Sequence, residues 1–212
     1  LIEEQQVTYA TYADILRPSA RRFALLYDIT LILGGSLLIA LSAQIAIPLP
    51  FSPVPITGQT LAVLLIGALL GSRRGGLSLL VYLIEGTSGL PVFAGGGAGP
   101  AHLAGPTGGY LVGFVAAAYV TGLLAERGWD RRIGTTLAAM LLGNAVLYAF
   151  GLVWLAAYVG IGRALPLGLY PFIVGDLAKL TLAALLLPSG WRMLNPTARR
   201  SNPRSRPRPP SR

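Results

Sequence analysis

The segment "YPFIVGDLAKL", residues 170–180, carries an acid and a base three positions apart, Asp176 and Lys179, inside an otherwise apolar run. On a helix that spacing places both side chains on one face, about one turn apart. Lys179 is the only lysine of the chain. An ionised side chain at the centre of a membrane helix costs roughly 2.5 to 3.5 kcal/mol, a cost that pairing lowers without removing. Two uses fit the pair. One is a structural ion pair, with Lys179 snorkelling toward the interface. The other is a polar site on the inner face of a bundle, since ionisable groups inside a membrane usually mark a substrate or ion path. Gln44, Gln59, Glu85 and Asn144 are further polar residues in apolar stretches. Gln59 is expected at the same membrane level as the pair, together with Phe93, Tyr110, Tyr148, Trp154, Tyr170 and Phe172. This mixture suits a small ligand with an apolar body and a few polar atoms. For Trp154 and Tyr170 an interfacial aromatic belt is an equal alternative.

Several other chemistries are excluded by residue type. The chain has no cysteine, so disulfides, iron–sulfur clusters and thiolate metal sites are absent. The sole lysine is preceded by "GDLA", not by the glycine pattern of a phosphate-binding loop. "GPTGGYL", residues 105–111, sets glycines at a helix start, a weak signal for an anion. His102 is the only histidine and reads as a loop residue without partners for a metal. No Ser/His/Asp arrangement supports hydrolysis, so neither a cofactor nor an enzymatic activity is expected.

The elements that must position the pair follow from composition. Of 212 residues, 53% are hydrophobic and 12% charged, about half the charged fraction of a soluble domain. Apolar runs of roughly 18 residues or more match the hydrocarbon core of a bilayer. An all-α integral membrane protein with six transmembrane helices is predicted, over about 24–47, 57–71, 75–88, 108–126, 134–159 and 168–188. The four prolines of "PLPFSPVP" end the first span. Residues 1–22 read as a polar entry segment, 23–190 as the membrane domain and 191–212 as a disordered basic tail. The acidic start "LIEEQQ" does not resemble a cleavable signal peptide. Arginines cluster in the entry segment, in the connections between spans two and three and between four and five, and in the tail; the opposite connections hold Arg163 alone. Basic residues stay in the cytoplasm, which places both termini there. The same distribution explains the net charge of +9 without nucleic acid. The outward connections, including the glycine-rich loop 89–109, lack charge and are expected to fold onto the bundle as a lid or lining.

Taken together, "ALSAQIAIPLPFSPVPITGQTLAVLLIGALLG", "YLIEGTSGLPVFAGG", "GPTGGYLVGF" and "PFIVGDLAKL" resemble the BioY family, the biotin-binding S component of energy-coupling factor (ECF) transporters. The resemblance spans about 40–188. It implies the S-component fold, biotin captured from outside, a multi-pass protein of the bacterial cell (inner) membrane, and as partners a transmembrane coupling protein and two ABC ATPases. It implies binding roles for Asp176 and Lys179 in the "GD-x-x-K" pair, for Gln59 after the Pro-Val-Pro turn and for Tyr110 of "GPTGGY". Phe93, Gly97 and Trp154 complete the expected ligand-binding set. Gly97 stands where some relatives carry Asn, and Leu111 where some carry Arg. In span one, Ser36 and Ala40, next to Gly34 and Gly35, form a small-residue pattern that suits either the coupling protein or packing within the chain. An S component for another vitamin, or a membrane enzyme using Asp176 and Lys179 as acid and base, are the alternatives.

Overall fold

The computed structural model describes residues 10–194. The beginning of the entry segment and the tail from 195 onward lie outside the described residues. A short helix α1 (Tyr12–Ile15) precedes α2 (Arg21–Gln44), strands β1 (Ala46–Leu49) and β2 (Ser52–Thr57), α3 (Gln59–Leu70) and α4 (Ser72–Thr87). There follow α5 (Pro100–Leu103), α6 (Gly108–Ala125), α7 (Ile133–Val159), α8 (Ile161–Gly168) and α9 (Ile173–Leu194). Among the described residues, Arg21–Gln44, Gly108–Ala125, Ile133–Val159 and Ile161–Leu194 are long and apolar enough to cross a membrane, and Gln59–Leu70 is a shorter apolar helix.

These helices are apolar all round, as expected where the outer face meets lipid. On α2 the side chains of Leu25, Leu26, Ile29, Leu33, Leu37 and Leu41 are exposed. The centre is α6, which packs against α7, α3 and α4 and buries Tyr110, Leu111, Phe114, Ala117, Ala118 and Thr121. Small residues set these approaches. A Cβ at Gly67 of α3 would stand 2.4 Å from the Ala118 carbonyl oxygen on α6. Gly71, at φ +86°, turns the chain between α3 and α4 in a conformation that other residues rarely adopt.

Three features depart from the sequence expectation. The proline-rich segment after α2 is an antiparallel hairpin, so the chain is mostly but not wholly helical. Ala46 pairs with Thr57, Ile47 with Ile56 and Leu49 with Ser52, and the register shifts between Ile47 and Leu49, at Pro48. Proline has no N–H for the ladder, so a two-stranded ribbon with an irregularity at that point accommodates it. Second, α9 continues to Leu194 instead of ending near 188, because Trp191 is buried against Tyr12, with ring centroids 4.2 Å apart. Third, Ser36 and Ala40 are buried inside the chain and Ser36 hydrogen-bonds Glu85 of α4. That face of α2 is occupied by packing within the chain, the second of the two uses that the small-residue pattern allowed, and not by a surface open to a partner. Gly34, by contrast, has open space beside its Cα.

Candidate ligand-binding site

A cavity of about 360 Å³ lies beneath the hairpin and the loop that connects α4 to α6, within the range of roughly 300 to 1,000 Å³ common for small-molecule sites. Pro53, Val54 and Pro55 come from the hairpin, Gln59 and Thr60 from the start of α3, and Ala101, His102 and Pro106 from the loop. The bundle contributes Tyr110, Leu111 and Phe114 of α6, Leu147 and Tyr148 of α7, and Asp176 and Lys179 of α9, with Phe172 just before it. The walls are mainly apolar and aromatic, and the charge is concentrated on α9.

Asp176 is 4% exposed. Its Oδ1 accepts from Thr60 Oγ1 at 3.2 Å and from Lys179 Nζ at 3.3 Å. Its Oδ2 accepts from the Tyr148 hydroxyl at 2.5 Å and from Asn144 Nδ2 at 3.4 Å. The carboxylate thus has four donors, about its full acceptor capacity. Lys179 Nζ also donates to the Thr57 carbonyl and to Thr60 Oγ1, each at 2.9 Å. Its three N–H groups therefore each have an acceptor. A charge in so little water is tolerated when paired and hydrogen-bonded in this way. Lys179 is thereby tied to the carboxylate and to the start of α3, and does not snorkel toward the interface. The i,i+3 spacing brings the two together across one helical turn, and the start of α3 supplies the remaining partners.

Gln59 and Tyr110 also line the cavity. Gln59 Nε2 donates to the Tyr82 hydroxyl at 2.8 Å, and the Tyr110 hydroxyl donates to the Gly168 carbonyl at 2.8 Å. Tyr110 meets Tyr148 edge to face, at 6.1 Å and 88°. Phe93 is buried behind the wall, where it stacks on His102 (4.9 Å, 16°) and meets the edge of Tyr82. The Gly97 carbonyl accepts from the Phe93 amide, and a Cβ at Gly97 would approach the His102 ring to 2.5 Å. Phe93 and Gly97 thus shape the wall from behind. Trp154 is placed differently from its expected ligand contact: it lies on the outer face of α7, 41% exposed, and its Nε1 donates to the Gly105 carbonyl at 3.0 Å. One turn on, the Tyr158 hydroxyl donates to the Ala104 carbonyl. These two residues hold the far end of the lid loop from outside.

His102, read from sequence as an ordinary loop residue, faces the cavity. Burial pushes its imidazole below the usual histidine pKa. Thr57, Thr60 and Tyr148 are further members that sequence reasoning left outside the binding set. Thr60 follows Gln59 at the helix start, and Tyr148 lies one turn from Asn144; both had a signal in the polar and aromatic spacing of these spans. The hairpin and His102 had none, because loop folding leaves no periodicity.

The profile of the BioY family matches residues 14–196. The chain belongs to the BioY family. It is 43% identical over 162 residues to the biotin transporter BioY of Rhizobium etli, covering 73% of this chain and 87% of that protein. It is 43% identical over 150 residues to the biotin transporter BioY of Thermotoga maritima, covering 70% and 86%. The solved S-component for biotin from an ECF-type ABC transporter matches with a TM-score of 0.70 at 25% identity, over 82% of this chain and 95% of that one. These relatives are transporters, not enzymes, and with its apolar helices this BioY chain is a membrane protein.

Proposed function

We propose that this chain is the biotin-binding S component of an ECF-type importer in the bacterial inner membrane. Six helices, α2, α3, α4, α6, α7 and the α8–α9 unit, cross the bilayer with both termini in the cytoplasm. Biotin enters from outside under the hairpin and the lid loop, and a coupling protein with two ABC ATPases drives its delivery inward. The observation that carries this reading is the cavity itself, with aromatic and aliphatic walls around one fully hydrogen-bonded Asp176–Lys179 pair. Biotin is a largely apolar bicycle with a ureido group whose N–H donors match an ionised carboxylate. Charge-assisted bonds of that kind are strong in a site of low dielectric. Because Asp176 already has four donors, a ureido N–H exchanges for the longest of them, Asn144 at 3.4 Å. The binding set comprises Asp176, Gln59 and Tyr110 at the ligand, Lys179 as support of the carboxylate, and Phe93 and Gly97 as backing of the wall.

Use of Asp176 and Lys179 as acid and base fits less well, since the two already neutralise each other as an ion pair and every Lys179 proton has an acceptor. A titration of the purified chain with labelled biotin tests the reading, and submicromolar binding is expected. Saturable binding displaced by a different vitamin but not by biotin would replace this ligand with that one.

A further inference from the structure

Resting on the biotin reading, the cavity leaves one part of the ligand unaccounted for: the carboxylate at the end of its acyl chain. A carboxylate taken out of water requires donors that are not already committed. Lys179, the obvious candidate, has each N–H engaged by Thr57, Thr60 or Asp176. The hydroxyls of Tyr110, Tyr148 and Thr60 donate to Gly168 and Asp176. Gln59 keeps one Nε2–H and Thr57 its hydroxyl proton, both beside the charge pair at the start of α3. Among the described residues that line the cavity, with the aliphatic and aromatic hydrocarbon side chains set aside, only the His102 ring and the Thr107 hydroxyl make no side-chain hydrogen bond at all. His102 is the one of these two that can carry positive charge, and both sit on the lid loop, away from the helix that bears the charge pair.

We infer that His102 is the carboxylate-recognising residue of this site, assisted by Thr107, so that α9 and the start of α3 bind the ureido ring while the lid reads the ligand's charge. The ring is preset for this. Phe93 stacks on one face; Phe93 is itself fixed by Gly86, where a Cβ would stand 2.1 Å from its ring. Gly97 leaves the space that the imidazole occupies. A neutral imidazole N–H donated to a carboxylate is already a charge-assisted bond, because the acceptor is ionised, and it is roughly twice as strong as the same bond to a neutral amide.

The test compares biotin with biotinamide, its uncharged amide, on the purified full chain. Wild type is expected to prefer biotin. His102→Gln and His102→Ala are each expected to weaken biotin by about tenfold and biotinamide by no more than about twofold, the difference expected for losing one bond to a charged group. His102→Arg is expected to keep the preference. Asp176→Asn should weaken both ligands alike, since it acts on the ureido end. Equal losses for both ligands in the His102 variants, or no loss for either, would overturn the assignment by reducing His102 to a piece of wall. Absence of biotin binding by the wild type would overturn the biotin reading first and this inference with it, a result distinct from the variant outcomes.

Discussion

Two clusters of charge sit at opposite ends of the bundle, and their neighbours make them different devices. Where α2, α4 and α7 begin, Arg74 lies 2.8 Å from both Asp14 and Asp28, and Arg17 lies 2.6 Å from Asp28. Beside them Trp191 donates to Asp130 at 2.5 Å, under the Arg131 guanidinium and against Tyr12. Burial, reinforced by the Asp130 carboxylate, pushes the Tyr12 hydroxyl up to about 12. Several contacts there tie together segments far apart in sequence, Arg74 to Asp14 and Asp28, Trp191 to Asp130 and to Tyr12. At the other end, the Asp176–Lys179 ion pair lies within one helix, its further hydrogen bonds reach Thr57, Thr60, Asn144 and Tyr148, and the pair borders the cavity under the lid. Charges that link elements hold the fold. Charges that share a helix and face a cavity are available to a ligand.

The sharpest way to break this contrast is to remove the anchor of the first cluster. Trp191→Ala is expected to lower stability by about 3 to 5 kcal/mol, as for other large-to-small changes at buried aromatics, while the folded fraction keeps its biotin affinity. Thermal unfolding read beside equilibrium binding checks this, and a parallel fall in affinity would mean that the two ends are coupled. Next in size, Asp176→Asn or Lys179→Met should weaken biotin binding by about 2 kcal/mol or more, because each leaves a buried polar partner unmatched. A binding titration that finds either variant unchanged would move the pair from the second class to the first.

A smaller effect belongs to the lid. Trp154→Phe removes the bond to the Gly105 carbonyl without emptying the site, and should cost about 0.5 to 1.5 kcal/mol. Because that bond holds the loop and not the ligand, the change is expected mainly in the dissociation rate of labelled biotin, measured by chase with unlabelled ligand.

The two regions also differ in how legible they were. The apolar runs located α6 and α7 to within a residue or so, since a helix that faces lipid is apolar along its whole length. The Asp176–Lys179 pair was legible because i,i+3 spacing is a property of the helix alone. The hairpin was not, because Pro48, Pro50, Pro53 and Pro55 announce only that a helix stops, and pairing between the two strands depends on a register that proline does not encode. Trp154 and His102 exchanged roles for the same reason. Which of them meets the cavity depends on how the loop folds back over α7, a long-range contact with no periodic trace. The extension of α9 past its expected end likewise needed Tyr12, some 180 residues away in sequence.

The smallest expected effect concerns the linking cluster and separates its members by sign. Burial alone would raise the Asp14 carboxyl, but the Thr11 amide and hydroxyl and the Arg74 guanidinium outweigh it and hold its pKa below the ordinary value of 3.8. A carboxyl lowered on folding adds stability that is present above its unfolded pKa and is lost as pH falls through the folded one. Asp130 runs the other way: burial outweighs the Trp191 N–H and the Arg131 charge, and its pKa is raised. Its ionised form costs stability at neutral pH, and that cost is relieved as pH falls through the raised folded value. Acidification from neutrality should therefore first relieve Asp130 and only below about pH 4 release Asp14. Asp14→Asn is expected to lower the melting temperature slightly at pH 7, its carboxyl being largely solvent-screened, and to leave the wild-type and variant curves converging at acid pH. Biotin affinity should be the same for both proteins at pH 7, because none of the described residues of that cluster lines the cavity under the lid.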